Sequence, residues 1–567
     1  MAFQVSPGVN VSEVDLTAGV QTVSLSAGAF VGPFQWGPAF EVTNIASEAD
    51  LVNTFGKPDT DTFKYWFSAA AFLAYSNQLK VVRAVTGDAL NASDSGGGVL
   101  VKNQTDYEVT FPTGSGTYGF AIAKYPGDLG NSLKVSVCPS ATAFGSWDYA
   151  NQFAAAPGTS DWADARGGAA DEMHVVVVDE DGAFTGVANT VLERYAFLSK
   201  ANDAKNNAGD PNYYANVLNR KSAYIYWMSA QGSNTDHWGE ASTNTFGADA
   251  TPYTASLSSG VADNSTIAGG DIAPIETGWD LFADPDSQDI SLLITGPSVV
   301  NGADATLANY VIDNIAEVRK DCVAFVSPSS NSVVNHAGNE LTDVLADRNA
   351  LTSTSYAVMD SGWKYVYDKY NDVYRWVPLN GDIAGLAART DTTNDPWFSP
   401  AGFNRGVVKN VVKLSWNPKQ LDRDNLYSKG VNPVVSFPGQ GVVLYGDKTL
   451  LSRPSAFDRI NVRRLFIALE KTIARYAKSQ LFEFNDEYTR AAFRNVVEPF
   501  LRDVKARRGV TDFLVVCDET NNTPNVIDQN QFVGDIYVKP NRSINYIQLN
   551  FVAVRSGVSF QEVIGGV

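Results

Sequence analysis

The stretch from Asp458 to the C-terminus constrains the fold most, because its periodicity changes from helical to strand-like within one domain's length. Two helical runs open this stretch. The second extends from Asn485 to Arg508, and Gly509 is a natural residue to end it. Pro499 lies inside this run, so we expect a kink or a break there. The first run carries an apolar stripe at helical spacing, formed by Val462, Phe466, Leu469, Ile473 and Tyr476.

Strand patterns follow these helices at Phe513–Cys517, Phe532–Val538 and Ile544–Val554. In the last of them apolar and polar residues alternate, which is the period of a half-buried strand. One more short strand pattern comes after Ser556–Gly557, and little of a core remains for it to join.

Both ends of the chain carry a strand pattern separated from the rest by small residues, at residues 1–16 and 557–567. An isolated strand has unpaired backbone groups and must find a sheet. On physical grounds alone, each segment is either an edge strand of its own domain or a strand added to another subunit. The candidate residues for strand pairing in these two segments are Phe3, Val5, Val9, Val11, Val558, Phe560 and Ile564.

The rest of the chain predicts an α/β body that an insertion interrupts. Ile290–Ile294, Ala305–Val318 and Val323–Val326 form a β-α-β pattern, which predicts parallel strands. We expect this part to complete the compact structure begun at Val20–Val85. Between them the sequence is rich in small and polar residues, with short strand patterns at Tyr107–Phe111, Leu133–Val137 and Val175–Val178. The predicted boundaries are 1–19, 20–90, 91–275, 276–455, 456–556 and 557–567.

The charge of the chain is acidic and unevenly distributed. It has 62 Asp+Glu against 43 Lys+Arg, a net charge of −19, which argues against nucleic-acid binding by the whole protein. Residues 453–567 instead hold 16 basic and 13 acidic residues, and 453–508 hold 13 and 7. The two parts are therefore expected to have different surroundings, with chance variation between domains as the alternative.

No motif predicts catalysis, a cofactor or a metal site. Gly114–Gly119 has the spacing GxGxxG, but a strand pattern rather than a helix follows it. Gly441–Thr449 resembles a phosphate-binding loop, but Asp447 stands where the lysine belongs. The three histidines and three cysteines are scattered, and no apolar run is long enough to span a membrane. We therefore predict a protein that is not an enzyme.

Long motifs in both parts of the body and in the C-terminal part resemble a single family. DRINVRRLF (458–466), VCDETNNTPNVID (516–528) and RSINYIQLNFVA (542–553) resemble the C-terminal domain of contractile-tail sheath proteins of bacteriophages, most closely the T-even type. Further similar stretches are FQWGPAF (34–40), DLVNTFGKP (50–58), KYNDVYRWVPLNGDIAGLAARTD (369–391), SPAGFNRG (399–406) and LYGDKT (444–449). The resemblance covers residues 1–90 and 275 onward, whereas between them only YPGDLGN (125–131) is similar.

The resemblance implies a structural subunit that polymerises as hexameric rings, stacked helically around an inner tail tube. Such a sheath contracts from a metastable extended state and drives the tube through the host envelope for genome delivery. The implied partners are copies of the chain itself, the tail tube protein, and baseplate and tail-terminator proteins, without nucleic acid or membrane insertion. The protein would be assembled in the host cytoplasm and reside in the tail of the virion.

With this resemblance, the fold class expected is a multidomain α+β and α/β protein. It has a split α/β body, an inserted mostly-β outer domain, and a C-terminal α+β assembly domain with exchanged terminal strands. The arms at 1–16 and 557–567 would then pair with the sheets of neighbouring subunits.

The least acidic part of the chain is expected to face the tube, because charged contacts can hold a partner and still let it slide. The first candidates are Arg502, Lys505, Arg507 and Arg508, and the second are Arg463, Arg464, Arg475 and Lys478. For the first group, favourable charge at a helix C-terminus is the alternative. Alternative functions for the whole chain are a non-contractile surface protein or adhesin, and an α/β enzyme with an unrecognised site.

Overall fold

The structure, a computed structural model, describes residues 25–229, 236–247, 249–298, 305–545 and 548. The chain divides into two compact units, Met1–Leu481 and Phe482–Val567. The first unit contains the α/β body and the insertion. The arm residues Phe3, Val5, Val9, Val11, Val558, Phe560 and Ile564 lie outside the described residues.

A seven-stranded sheet forms the centre of the body. Before the insertion its strands are β1 (Gly28–Gly32), β2 (Thr43–Ile45) and β3 (Leu79–Arg83). The insertion contains β4 (Ala121–Ala123), β5 (Leu133–Cys138), β6 (Glu172–Asp179), β7 (Thr190–Ser199), β8 (Ile225–Trp227) and β9 (Tyr253–Ser256). The strands after the insertion are β10 (Leu292–Ile294), β11 (Val323–Val326), β12 (Ala357–Asp360), β13 (Trp363–Asp368), β14 (Val373–Pro378), β15 (Lys413–Leu414), β16 (Val431–Asn432), β17 (Val434–Phe437) and β18 (Gly441–Leu444). Of these, β10, β11, β12 and β16 belong to the central sheet.

The central sheet joins strands from both sides of the insertion, in the order β16-β12-β11-β10-β1-β3-β2. All neighbours are parallel except β2, which is antiparallel to β3. The register pairs Phe30 with Ile294 on one side and with Val81 on the other. Strands buried on both faces read as continuous apolar runs, as in Gly28–Gly32, where every residue is buried. The parallel β-α-β unit predicted from the sequence is confirmed.

Helices cover both faces of this sheet. The helices of the first unit are α1 (Glu48–Phe55), α2 (Phe63–Leu73), α3 (Gln104–Thr110), α4 (Ala141–Phe144), α5 (Asp161–Asp164), α6 (Tyr214–Lys221), α7 (Asn264–Ala268), α8 (Ala273–Asp280), α9 (Thr306–Tyr310), α10 (Glu317–Arg319), α11 (Ser330–Val333), α12 (Glu340–Ala350), α13 (Asn380–Thr393), α14 (Gln420–Ser428) and α15 (Ile460–Lys478). A π-helical segment, Val311–Ala316, joins α9 to α10. Short 3-10 turns lie at Gly116–Tyr118, Asp128–Ser132, Ala150–Gln152 and Ala456–Asp458.

The most buried helix is α13, which is apolar or small on nearly every side. Two glycines one turn apart allow α2 to approach it closely. A Cβ at Gly381 would lie 2.1 Å from the carbonyl oxygen of Ser68, and one at Gly385 would lie 2.5 Å from the ring of Tyr75. Small residues on α13 therefore set the distance between these two helices.

The insertion has its own cores and is mostly β, with a four-stranded antiparallel sheet in the order β7-β6-β5-β9. The chain enters and leaves it side by side, because Leu90 and Val261 exchange both backbone hydrogen bonds, at 2.8 and 2.9 Å. Ile267 and Ile275 pack in the core of the body. These two isoleucines, which the predicted boundaries assign to the insertion, therefore pack with the body.

One strand predicted in the insertion is wrong. Residues 107–110 of this stretch belong to helix α3, and Phe111 is the residue that caps its C-terminus. Asn103 caps this helix by accepting the backbone N–H of Asp106 at 3.0 Å, and Tyr107 is the buried residue of its inner face. The cap outweighs the β propensity of the tyrosine, valine and threonine side chains that follow.

The second unit contains α16 (Glu487–Ala506), β19 (Val510–Val516), α17 (Pro524–Asp528) and β20 (Asp535–Pro540). Strands β19 and β20 pair antiparallel, and Phe513 faces Val538 across the ladder. The expected break at Pro499 is absent, since α16 is continuous through it. Phe493, Val497, Leu501 and Val504 are buried along one side of the helix, so packing offsets the backbone hydrogen bond that proline cannot make.

Candidate assembly interface

Two of the predicted contact residues, Arg463 and Arg464, are buried inside the first unit, with 6% and 2% of their surface exposed. The Arg463 guanidinium lies 4.2 Å from the centre of the Tyr356 ring and 4.0 Å from that of Phe457. Burial lowers its pKa, and the nearby Tyr356 opposes this shift. Arg464 donates to the carboxylate of Asp391 and, at 3.1 Å, to a backbone carbonyl.

The interpretation of Arg463 and Arg464 as surface contacts is therefore corrected. Helix α15 packs into the body on more than one side, with Ile460, Ile467 and Ala468 in the core. A prediction from one apolar stripe assumes that charged residues outside the stripe lie in solvent. In α15 the body also packs against a second face of the helix. Both guanidinium groups are held by partners within the unit.

The other basic face of α15 forms ion pairs with a loop of the body. Lys471 lies 3.0 Å from Asp289, Arg475 lies 3.3 Å from the same carboxylate, and Lys478 lies 2.6 Å from Asp286. The hydrogen bond from Lys478 lowers the pKa of Asp286. Arg475 and Lys478 are more than half exposed, so these pairs contribute little and can exchange partners. Lys471, Arg475 and Lys478 are spaced i, i+4 and i+7, and this spacing in the sequence indicates that they share one face of the helix.

The four basic residues at the end of α16 are all exposed: Arg502, Lys505, Arg507 and Arg508. Lys505 lies 3.0 Å from Asp512, and Arg507 lies 3.0 Å from Asp503 one turn earlier. Lys505 also lowers the pKa of Asp512 through its hydrogen bond. Since these pairs lie in solvent, the four cations are accessible to a partner surface in a way that Arg463 and Arg464 are not.

Arg508 has a second, structural role at this helix end. Its φ is +68°, so Arg508 rather than Gly509 is the left-handed residue that ends α16. The N–H of Gly509 donates to Val504 O at 2.8 Å, and that of Arg508 donates to Lys505 O at 3.1 Å. These two bonds form a Schellman motif and satisfy carbonyl groups of the last turn.

The excess of basic charge does not belong to the second unit as a whole. Residues 453–481 hold seven basic and two acidic residues, and they lie in the first unit, where Arg463, Arg464, Lys471, Arg475 and Lys478 are already bonded. Residues 482–567 hold nine basic and eleven acidic residues. The positive character of the second unit is therefore local to the end of α16.

The sheet of the second unit has two strands, and neither outer edge has a partner strand among the described residues. Leu514 and Tyr537 face each other across the ladder, 57% and 59% exposed. A two-stranded hairpin with open edges is marginally stable and offers backbone groups to an added strand.

The described residues contain no group of His, Cys, Asp and Glu that could hold a metal ion. Nor does any helix in the described ranges have the length and apolar character needed to cross a membrane. Gly116–Tyr118 is a 3-10 turn and Gly441–Leu444 is a strand, so neither glycine pattern leads into a helix of a phosphate site. Burial raises the pKa of the Cys322 thiol to about 12 and that of Cys138 to about 11, which keeps both protonated.

Three family models match the chain. The phage tail sheath protein central domain matches residues 290–450, and the phage tail sheath C-terminal domain matches residues 452–553. The N-terminal region of domain III of the tail sheath protein Gp18 matches residues 29–84. Apart from Gly28 of β1, the first and third of these matches contain the seven strands of the central sheet, on both sides of the insertion.

Solved structures with the same fold include sheath proteins. A sheath tail protein of Listeria innocua superposes with a TM-score of 0.53 at 10% identity, covering 92% of this chain and 96% of that one. The sheath of an extracellular contractile injection system in its contracted state gives a TM-score of 0.50 at 13% identity, covering 97% and 98%. At these identities the likeness shows the fold alone.

Curated relatives match the chain from end to end. The tail sheath protein of Enterobacteria phage T4 is 34% identical, and the alignment covers 99% of both chains. That of Vibrio phage KVP40 is 33% identical, also over 99% of both. That of Salmonella phage ViI is 34% identical and covers all of this chain and 98% of the relative. The chain therefore belongs to the phage tail sheath proteins and is a structural subunit of a contractile tail sheath, not an enzyme.

Proposed function

We propose that copies of this chain stack as hexameric rings around an inner tail tube, joined to a baseplate and to a tail-terminator protein. Head-to-tail contacts that do not close along an axis generate a helical polymer. The extended polymer is a trapped state, and the repacking of subunits on contraction drives the tube through the host envelope. The protein is assembled in the host cytoplasm and becomes part of the virion tail. The end-to-end match to tail sheath proteins is the observation that carries this proposal.

Within the polymer, residues 1–16 and 557–567 add as strands to the sheets of neighbouring subunits. The two-stranded sheet of the second unit supports this proposal, because both edges are open among the described residues. An added strand gains a full set of main-chain hydrogen bonds at the edge it joins. Such links hold subunits together while their compact parts change position.

Deletion of residues 1–16, or separately of 557–567, is expected to give a folded, soluble monomer that does not polymerise. The N-terminal deletion removes none of the core residues that the structure describes, the first of which is Leu25. Negative-stain microscopy of the purified proteins detects tubes, and circular dichroism checks the fold. Normal tubes from both truncated proteins would exclude strand exchange, whereas a wild-type protein that forms no tubes would exclude polymerisation by this chain alone.

The end of α16 is the part of the second unit that faces the tail tube, and the insertion faces outward. Arg502, Lys505, Arg507 and Arg508 remain as first candidates because all four are exposed. Arg475 and Lys478 remain as second candidates, since their ion pairs are exposed and exchangeable. Arg463 and Arg464 are dropped because they are buried. A contact of this kind weakens with salt, as the Debye length is roughly 8–10 Å near physiological ionic strength.

The triple variant Lys505→Glu, Arg507→Glu and Arg508→Glu is expected to fold but to assemble poorly on purified tubes. The reversal removes attraction to an acidic tube and places like charges beside Asp503 and Asp512. Co-sedimentation with tubes across a salt series measures the contact.

The matched control reverses three exposed cations outside the insertion, Lys57, Lys429 and Arg453, which keeps the change in net charge the same. The control is expected to assemble like the wild type. If the α16 variant assembles as well as the wild type in low salt, these residues do not contact the tube, and their charge acts only at the end of the helix.

A further inference from the structure

A three-stranded sheet on the body, in the order β14-β13-β15, presents an aromatic face. The register places Tyr365 opposite Trp376 and Tyr367 opposite Tyr374. It also places Lys413 beside Tyr365 on the other side. Side chains opposite each other in a ladder lie on the same face, so four aromatic rings and one lysine share it.

The rings of this face contact each other and remain open to solvent. Tyr365 stacks on Tyr374 with 5.4 Å between ring centres, and Trp376 lies 4.6 Å from Tyr365. Tyr367 lies 5.2 Å from Tyr374. Tyr367 and Tyr374 are 48% and 53% exposed. A contiguous exposed aromatic surface on a folded chain is typical of an interaction site.

The opposite face of the same hairpin is fixed to the body. Lys364 lies 2.8 Å from the buried Asp382 of α13, and the Arg375 guanidinium lies 4.5 Å from the centre of the Phe63 ring of α2. At the hairpin tip, the ring of Tyr370 packs against a tryptophan of α2. The aromatic face is therefore held in one conformation, which reduces the entropy lost when a partner binds it.

Lys413 supplies an unneutralised charge to this face. Its ammonium lies 4.9 Å from the centre of the Tyr365 ring and 5.4 Å from that of Trp376. It forms no ion pair with a carboxylate of the described residues. A cation held over aromatic rings, with no anion of its own, is complementary to an acidic surface.

The chain itself offers such a surface in every copy. Residues 91–275 contain 20 acidic and 9 basic residues, which accounts for −11 of the net charge of −19. We infer that the aromatic face of β13–β15, with Lys413, docks on the acidic insertion of a second copy of the chain. A contact between two different surfaces of identical subunits is heterologous, and it builds a ring where the rotation closes and a helical polymer where it does not. The inference rests on the polymerisation proposed above and adds a site to it.

Cross-linking of a mixed polymer tests directly whether the aromatic face contacts the insertion of a second copy. Equal amounts of protein with natural nitrogen and with nitrogen-15 are polymerised together and treated with a carbodiimide, which joins an amine to a carboxylate in direct contact. We expect mixed-isotope peptides that join Lys413 to a carboxylate of residues 91–275. Peptides of one isotope only, carboxylates outside this range, or no linkage of Lys413 would overturn the inference.

Variants test the rings and the charge separately. Tyr367→Ser with Tyr374→Ser, and Lys413→Glu alone, are each expected to raise the concentration needed for polymerisation at least tenfold. Lys413→Arg is expected to polymerise within twofold of the wild type. The double variant Val318→Ser with Leu421→Ser, which removes two exposed apolar side chains elsewhere on the body, is the matched control.

The outcomes separate this inference from the proposed function. A wild-type protein that does not polymerise contradicts the function proposed above. Wild-type polymerisation together with normal polymerisation of the tyrosine and lysine variants contradicts the aromatic contact alone. Circular dichroism of each monomer confirms that a loss of polymer is not a loss of fold.

Discussion

Asp360 is a buried carboxyl without a cation, at the end of β12 where the central sheet meets α13. Its side chain accepts from Ser327 Oγ at 2.6 Å and from the Gly362 N–H at 3.0 Å. Burial raises its pKa to about 8, and the nearby Asp382 adds to this shift. Asp382 differs because Lys364 opposes the rise that burial causes in its pKa. Asp360 is therefore neutral in the folded protein at pH 7.

Asp360→Asn is expected to stabilise the protein increasingly as the pH rises from about 4 to about 8. In this range the unfolded chain has lost the Asp360 proton and the folded chain has kept it, so wild-type stability falls with rising pH. The free-energy difference between variant and wild type grows by at most about 1.4 kcal/mol per pH unit and is constant above pH 8. Thermal melting across this range measures it.

The exposed Asp88 provides the control, since Asp88→Asn changes the same atoms in solvent. Its stability difference from wild type is expected to be small and independent of pH. A flat pH profile for Asp360→Asn would mean that the buried carboxyl is ionised in the folded state.

At the scale of elements, local signals in the sequence predicted most helix starts and strands. Ser47 accepts the N–H of Asp50 at 3.1 Å and starts α1, which is a local signal of this kind. The errors come from competition between local and tertiary effects. Asn103 starts a helix where β-forming residues predicted a strand, and packing keeps α16 continuous through Pro499. The spacing of apolar residues in the sequence indicates a helix or a strand, but it does not show whether a cap or a tertiary contact will override that preference.

A single substitution tests what stabilises the C-terminal end of α16. Arg508→Gly is expected to stabilise the helix end by about 1 kcal/mol, because glycine adopts φ +68° without the steric cost of a Cβ. Hydrogen exchange of the last-turn amides in the full-length protein measures the gain. Arg502→Gly in the interior of the same helix is the control, and is expected to cost about 1 kcal/mol.

This pair also separates the two roles of the basic cluster. If Arg508 contacts the tube, Arg508→Gly strengthens the helix and weakens tube binding at the same time. Slower exchange with unchanged tube binding would assign Arg508 to the helix end only. Faster exchange would contradict the strain argument.

For the whole molecule, the sequence predicted that strands on both sides of the insertion share one sheet, but not which surfaces the fold covers. The parallel β-α-β pattern predicted strands that pair across the insertion, and β1 does pair with β10. The burial of Arg463 and Arg464 depends on residues such as Asp391 that are distant in sequence. Only the folded chain brings such partners together. The aromatic face of β13–β15 likewise depends on strand pairing, which places the tyrosines and Trp376 on one side of the sheet.

Arg83 shows how the insertion is attached to the body. It is fully buried, and its guanidinium donates to Phe34 O at 3.0 Å, to Gly37 O at 2.9 Å and, within the insertion, to Pro126 O at 2.7 Å. Trp36 of the body packs against aromatic rings of the insertion. Removing the insertion therefore loses one of the Arg83 hydrogen bonds, exposes Trp36 and breaks the two hydrogen bonds that Ala39 makes with Lys102 and Asn103, but it leaves the seven strands of the central sheet in place.

Replacement of residues 91–260 by a short Gly/Ser linker is expected to leave a body that unfolds cooperatively. Leu90 and Val261 form a hydrogen-bonded antiparallel pair, so their Cα atoms are about 5.5 Å apart and a tight turn can join them. Replacement of 99–275 is the matched comparison. It removes Ile267 and Ile275 from the core, each loss costing about 2–5 kcal/mol, and is expected to unfold the body or lower its melting temperature sharply. Equal melting of the two shortened proteins would show that these isoleucines do not support the body, and would return the boundary to residue 275.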